Sequence, residues 1–250
     1  CAASTQSIGD AAQLINNGLC DVVLAGGCEA GISRLGLGGF SALRALSTNN
    51  DNPEKASRPF DLLRDGFVPA EGAGMLVLES EEHALKRNAN ILCEIIGMGV
   101  SSDAYHPVQP DPTGIGATLA MQRAIENANI DIKDIDYINA HGTSTPLNDA
   151  CETTAIKKTF KKRAYNIPIS STKSMIGHAL GGAGALEAIA TILSIINQKA
   201  HPTINLETPD PECDLNYIPQ KAQNLTINYA MSNNFGFGGQ NASIIIKKAN

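Results

Sequence analysis

Ile135-Asp-Tyr-Ile-Asn139-Ala-His141-Gly-Thr143-Ser-Thr145-Pro146 is the stretch on which the fold turns. Ile135 to Asn139 reads as a strand and the following residues carry loop chemistry. Asn148 to Lys162 then reads as a helix, and Ile167 to Ser171 as a second strand. Upstream, Cys1 to Asn17 has apolar residues at helical spacing and stops at Gly18, and Asp21 to Gly27 is a short buried-strand run. Cys28 to Pro69 is loop-rich, with a short helix expected at Leu37 to Leu43. Strands are expected at Gly72 to Glu79 and Ile91 to Val100, around a charged helix from Ser80 to Asn88, with a further helix at Gly114 to Ala128. Downstream, Ala183 to Gln198 is a long apolar helix. Ile227 to Ser232 and Ala242 to Lys248 close the chain as an antiparallel pair across Phe235 to Gly239. Strands alternating with helices and ending in a hairpin define an α/β protein with a mixed sheet, and no linker divides the chain.

Composition narrows the function. The chain has 250 residues, and 19 Lys+Arg against 25 Asp+Glu give a net charge of −6. No cationic field is available for a general nucleic-acid binder. The low share of charged residues and the many glycines fit surfaces hidden in a core or a subunit interface. No apolar run reaches the ~18 residues of a membrane span; the longest, Ala188 to Ile196, is broken by Thr191 and Ser194 and reads as a buried helix. Cys1, Cys20, Cys28, Cys93, Cys151 and Cys213 form no CxxC pair, which points to reduced thiols in a reducing compartment. The sequence begins at Cys1 without an initiator methionine, so it is expected to be a processed product or the latter part of a longer chain.

Four places carry chemistry. Cys1 stands at a helix N-terminus, where unpaired N–H groups and the helix dipole favour thiolate, the nucleophile for a thioester. The bland alternative is a small buried cysteine. His141 sits in a loop beyond a strand, at the sheet edge where α/β proteins bind ligands, and Thr143 and Thr145 offer hydroxyls to a polar ligand chain; the bland alternative is a surface loop with a capping histidine. Ser170-Ser-Thr-Lys173-Ser-Met-Ile-Gly-His178 again leaves a strand, and a buried Lys173 would need a carboxylate, for which Glu187 is the obvious candidate. Gly181-Gly-Ala-Gly184 lacks the Lys-Ser/Thr ending of a phosphate loop and reads equally as tight helix packing. Asn233-Asn-Phe235-Gly-Phe237-Gly-Gly239 suggests a turn with positive φ and exposed N–H groups that could hold an oxyanion. His83 reads as a solvated helix residue, His106 as either an entrance or a structural residue, and His201 lies outside all these motifs.

Taken together, Cys1-Ala-Ala-Ser, His141-Gly-Thr-Ser-Thr-Pro, Lys173-Ser-Met-Ile-Gly-His178 and Asn234-Phe-Gly-Phe-Gly-Gly239 resemble the signatures of the β-ketoacyl-[acyl-carrier-protein] synthases of the elongating type. These are condensing enzymes of the thiolase-like superfamily. Ser57-Arg-Pro-Phe-Asp and Arg64-Asp-Gly-Phe are similar as well, so the resemblance spans essentially the whole chain. It implies a layered αβαβα fold with its first half largely missing. Residues 1–80 would be the end of the N-terminal half with connecting loops, and residues 81–250 the C-terminal half.

The resemblance also implies roles. Cys1 would take the acyl chain, His141 and His178 would donate to the malonyl thioester oxygen, and Lys173 would order the site with Glu187. The Phe237 N–H, with that of Cys1, would form the oxyanion hole, and the Phe237 ring would gate the acyl pocket. Thr143 and Thr145 would bind the pantetheine arm, and Arg44 would contact an acidic acyl carrier protein. No metal or organic cofactor is implied, and a homodimer is. Fatty-acid elongation in a bacterial cytoplasm or an organellar stroma or matrix is the expected setting. Three alternatives stand beside it: a polyketide-type ketosynthase, an N-terminal-nucleophile amidohydrolase using Cys1 and its own amine, and a fragment that keeps the residues without the activity.

Overall fold

The computed structural model describes residues 1–249. In chain order, the first elements are α1 (Ala3–Asn16), β1 (Val22–Glu29), α2 (Arg34–Ala42), β2 (Gly72–Glu79), α3 (Glu81–Lys86) and β3 (Cys93–Ser102). Then come α4 (Ile115–Ala128), β4 (Tyr137–Asn139), α5 (Pro146–Phe160), β5 (Ile169–Ser170), α6 (Lys173–Ile176) and α7 (Ala183–Asn197). β6 (Lys199–Ala200), β7 (Gln223–Asn224), β8 (Tyr229–Gly236) and β9 (Gln240–Lys248) complete it. A five-stranded sheet has the order β3-β9-β8-β4-β5, while β1 and β2 form an antiparallel ribbon. β4 runs parallel to β5 on one side and β8 on the other, and the β8–β9 and β9–β3 pairings are antiparallel. The sheet is therefore mixed, as expected.

Two cores hold the layers together. α1 and α7 lie between the ribbon and the five-stranded sheet, where Ile8, Ala188 and Ile195 pack with Ala25, Tyr137 and Ile244. α4 and α5 cover the sheet's other face, with Met121, Ile156 and Phe160 against Ile138, Met231 and Ile245. The layers thus run ribbon, helices, sheet, helices. The ribbon's outer side carries Val22, Leu24, Met75 and Val77 exposed to solvent.

Several boundaries differ from expectation, each for a local reason. α2 starts at Arg34 because the Ser33 side chain accepts from the Gly36 N–H at 3.1 Å, a cap hidden within a glycine-rich stretch. α5 starts at Pro146, whose missing N–H costs nothing in a first turn. The four-residue α6 is too short to leave a periodic signal. β8 extends through Phe235 to Gly236, so the hairpin turn is 237–239. Leu180–Asn197 corrects the reading that no stretch is long and apolar enough to cross a membrane: by length and composition it qualifies. Its Ala185, Ala188, Ile192 and Ile195 are nevertheless core residues between two sheets, as befits an interior helix.

Close approach of α4 to the sheet depends on Gly99 in β3, where an added Cβ would overlap the Ala120 carbonyl. Gly99→Ala is therefore expected to destabilise the protein by about 1–3 kcal/mol. Gly38→Ala, facing open space in α2, should be neutral or slightly stabilising. Denaturant midpoints of the two variants check this, and an unchanged midpoint for Gly99→Ala would contradict the packing.

Candidate active site

Because β5, β4 and β8 are mutually parallel, their carboxyl ends open on one edge of the sheet. β4 leads to His141, β5 to Lys173 through the first residue of α6, and β8 to Asn234 and the hairpin turn. The start of α1 reaches the same edge, bringing Cys1 with it. The Thr5 hydroxyl bonds to the Asn234 side chain, and the Ser4 hydroxyl accepts from the Ala185 N–H at 2.9 Å.

The chemical core is buried. His141 and His178 meet edge to face with ring centroids 5.3 Å apart, and each is only 2% exposed. Lys173 Nζ donates to His141 Nδ1 at 3.3 Å, and the Leu180 N–H donates to His178 Nδ1 at 3.2 Å. With both Nδ1 atoms accepting, both rings carry their proton on Nε2. His178 Nε2 is buried without a protein partner among the described residues. Both imidazoles are held well below the usual histidine pKa, first by burial and then by the charge of Lys173. They are neutral N–H donors at physiological pH.

Lys173 and Glu187 form the expected ion pair, each 1% exposed. The second Glu187 oxygen accepts from Asn234 Nδ2 at 2.7 Å. Burial raises the Glu187 carboxyl above its ordinary range, against the pull of Lys173 and Asn234. Asn139 Nδ2 also donates to the Glu187 carbonyl at 3.2 Å, tying the end of β4 to α7.

His141 and His178 line a cavity of about 340 Å³, together with Cys1, Thr143, Thr145 and Phe237, while the ion pair lies behind them. Cys1 is half-buried. A Cβ placed on Gly236 would come within 3.1 Å of the Cys1 nitrogen, so the hairpin passes close beside the cysteine backbone. The turn has positive φ at Gly238 and Gly239, but its N–H groups are not all free as expected. Gly238 donates to the Pro107 carbonyl and Gly239 to the Gly236 carbonyl. Only the Phe237 N–H of the turn has no acceptor among the described residues. The Phe237 ring is half-exposed at the mouth, 6.2 Å from that of Phe40. Thr143 and Thr145 hydrogen-bond to each other at 2.8 Å, and the exposed Arg44 lines the rim. Arg64 fixes this loop by donating to the Thr145 and Pro146 carbonyls.

Sequence reading missed Glu152 and Asp149. Glu152 accepts the N–H groups of His141 and Gly142, both at 2.8 Å, so a fully buried carboxylate sets the backbone under the first histidine. Burial lifts its pKa to about 7, while those N–H groups oppose the shift. Asp149, also fully buried, accepts from the Phe60 N–H and pairs with Arg64. The available signal was an acidic pair three apart on one helix face. Gly182 and Gly184 serve packing: a Cβ on either would meet backbone, at Gly72 and Thr5 respectively. His106 accepts the N–H groups of Val108 and Gln109, a structural role within its own loop. His83 is partly exposed and paired with Glu79.

A cysteine, two neutral histidines and a buried lysine thus gather at one sheet edge of a layered α/β fold. The beta-ketoacyl synthase N-terminal domain profile matches residues 1–84 and the C-terminal domain profile residues 92–207. Proteins named 3-oxoacyl-[acyl-carrier-protein] synthase 2 from Coxiella burnetii and Staphylococcus aureus are 52% and 54% identical over 248 residues. These alignments cover 99% of this chain and 60% of the relatives, so the chain spans about three-fifths of their length. A beta-ketoacyl synthase structure from Burkholderia phymatum superposes with a TM-score of 0.95 at 46% identity, covering 100% of this chain and 60% of that one. A type II polyketide ketosynthase solved with its acyl-carrier protein and a hexaketide gives 0.98 at 43% identity, covering 100% and 62%. The chain belongs to the beta-ketoacyl synthase family.

The lowered histidine pKa values predict a pH dependence of stability. Below pH ~6.5 the unfolded imidazoles take up protons that the folded sites refuse, so stability falls as pH falls. Glu152, with a raised pKa, contributes in the opposite sense between its unfolded value and about 7. His178→Asn removes one histidine contribution. Its stability relative to the parent should therefore improve by about 1 kcal/mol between pH 7 and 5.5. Urea titrations at the two pH values test this, and an unchanged difference would mean that His178 is not held neutral.

Proposed function

We propose that the chain carries the catalytic residues of a 3-oxoacyl-[acyl-carrier-protein] synthase that extends fatty-acyl chains. The observation that carries this reading is the shared arrangement of the histidines: each Nδ1 is occupied by a donor, so both Nε2–H groups are left for a ligand in the cavity beside Cys1. Cys1 Sγ attacks the acyl thioester, forms a new thioester and releases the carrier thiol. A malonyl thioester then enters with its carbonyl oxygen toward His141 and His178. As CO₂ leaves, negative charge gathers on that oxygen, and two fixed neutral donors stabilise it without reorganising. Loss of one such donor typically costs ~10²–10³ in rate. The resulting carbanion attacks the acyl-Cys1 carbonyl, forming the new C–C bond. The N–H groups of Phe237 and Cys1 hold the tetrahedral oxyanion until the Cys1 thiolate departs. Lys173 acts from beneath, fixing the His141 tautomer rather than meeting the substrate.

The cavity mouth supports the partner assignment. Thr143 and Thr145 suit the amide-rich pantetheine arm, Arg44 suits an acidic carrier protein, and the Phe237 ring suits a gate to the acyl pocket. Residues 1–80 are assigned to the end of the N-terminal half and residues 81–250 to the C-terminal half, a division supported by the change of family profile between residues 84 and 92. A homodimer fits the exposed apolar surface, and six unpaired cysteines fit a reducing compartment, a bacterial cytoplasm or an organellar interior. Elongation is favoured over polyketide assembly by Cys1-Ala-Ala-Ser and Gly142-Thr-Ser-Thr145 and by the higher identity to the elongating relatives.

Cys1→Gln in the full-length protein should abolish condensation while sparing or raising decarboxylation of a malonyl-carrier thioester. Product chromatography and CO₂ release measure the two separately. Loss of both together would refute separate roles for Cys1 and the histidines.

A further inference from the structure

His201 is a largely buried imidazole that the proposed reaction does not use. It follows β6 on a segment that runs alongside the residues leading into Lys173. Thr203 Oγ1 accepts the Ser171 N–H at 3.1 Å, and Ser174 Oγ accepts the Ile204 N–H at 3.0 Å. Between these ties the His201 ring reaches Thr172 Oγ1 with Nε2 at 2.9 Å and Tyr137 Oη at 3.1 Å. Its Nδ1 lies 3.1 Å from the Pro202 carbonyl and 3.2 Å from Ser170 Oγ.

The carbonyl of Pro202 can only accept, so Nδ1 carries the ring proton and Nε2 is bare. Burial lowers the His201 pKa, in keeping with a neutral ring. Nε2 then accepts the Thr172 hydroxyl, and Thr172 Oγ1 is left to accept from Asn139 Nδ2 at 2.9 Å. The same carboxamide nitrogen reaches the Glu187 carbonyl at 3.2 Å and Thr191 Oγ1 at 3.1 Å. Thr172 immediately precedes Lys173, and Glu187 is its partner. The ring therefore orients a run of hydrogen bonds that joins the two backbones carrying the buried ion pair.

We infer that His201 is a positioning residue for the Lys173–Glu187 pair, acting through Thr172 and Asn139. The inference rests on the condensing reading for its activity readout. If the link weakens, Lys173 loses register with His141, and the malonyl half-reaction suffers. Acylation of Cys1 draws on the hairpin and the start of α1, so it is unaffected.

The test uses the full-length protein and scores the two half-reactions separately. His201→Phe keeps an aromatic ring but offers no acceptor. It should lower kcat for malonyl-carrier decarboxylation about fivefold to tenfold, the range of one lost hydrogen bond. KM and the rate of Cys1 acylation should stay within about twofold. His201→Gln, which restores an acceptor oxygen, should recover most of the loss. Thr172→Val removes the same link without touching the ring. It should reproduce the defect, and the double variant should be no worse than the poorer single one. The inference is overturned by full decarboxylation in His201→Phe or Thr172→Val, by failure of Gln to rescue, or by both half-reactions falling together with the folded fraction. A parent protein that performs neither half-reaction overturns the condensing reading itself and this inference with it.

Discussion

The Lys173–Glu187 ion pair is the constraint around which the site is built. Both charges are removed from water, and such desolvation costs several kcal/mol per ion unless other groups compensate. Here they do. One carboxylate oxygen meets the ammonium and the other meets Asn234, while the ammonium also reaches His141. The pair therefore draws α6, α7, β8 and the loop after β4 to one point. Moving any of them would leave a buried charge unsatisfied, so the electrostatic demand becomes a geometric specification.

That specification reaches the chemistry through the histidine tautomers. The ammonium supplies a donor to Nδ1 of His141, while a main-chain N–H does the same for His178. Their burial, reinforced by the nearby positive charge, keeps both rings neutral. A neutral donor can stabilise a developing oxyanion without being quenched as a cation would be by a nearby carboxylate. Glu152 then fixes the backbone beneath His141. For His141, Lys173 thus sets the donor direction and, with burial, the charge state, while Glu152 sets the position.

Much of this was legible in the sequence because it is local. Strand runs ending in His141 and near Lys173 follow from periodicity and breakers, and the Lys173–Glu187 pairing follows from the cost of burying a lysine alone. Four spaced motifs carried the family resemblance that the profiles and relatives then matched. Glu152 and Asp149 were not legible, because an acidic pair in a polar helix looks the same whether it faces water or a backbone loop. His201 is illegible for a similar reason: Ala200-His-Pro202 has no motif, and the ring's partners are hydroxyls far away in the chain. The positive φ of the glycine turn is local and legible, but pairing with Pro107 and Gly236 leaves Phe237 as the turn's only free N–H donor among the described residues.

The sequence by itself determined the element types, the mixed α/β architecture and the residues that carry the thiol, the imidazoles and the ion pair. Those properties depend on side-chain chemistry and on spacing within short windows. Only the tertiary structure decided which strands run parallel, and hence that loops after β4, β5 and β8 share an edge with the start of α1. It also decided which nitrogen of each imidazole holds the proton and which acids are buried. Each of those outcomes depends on a partner far away in the chain, so local spacing could not contain it.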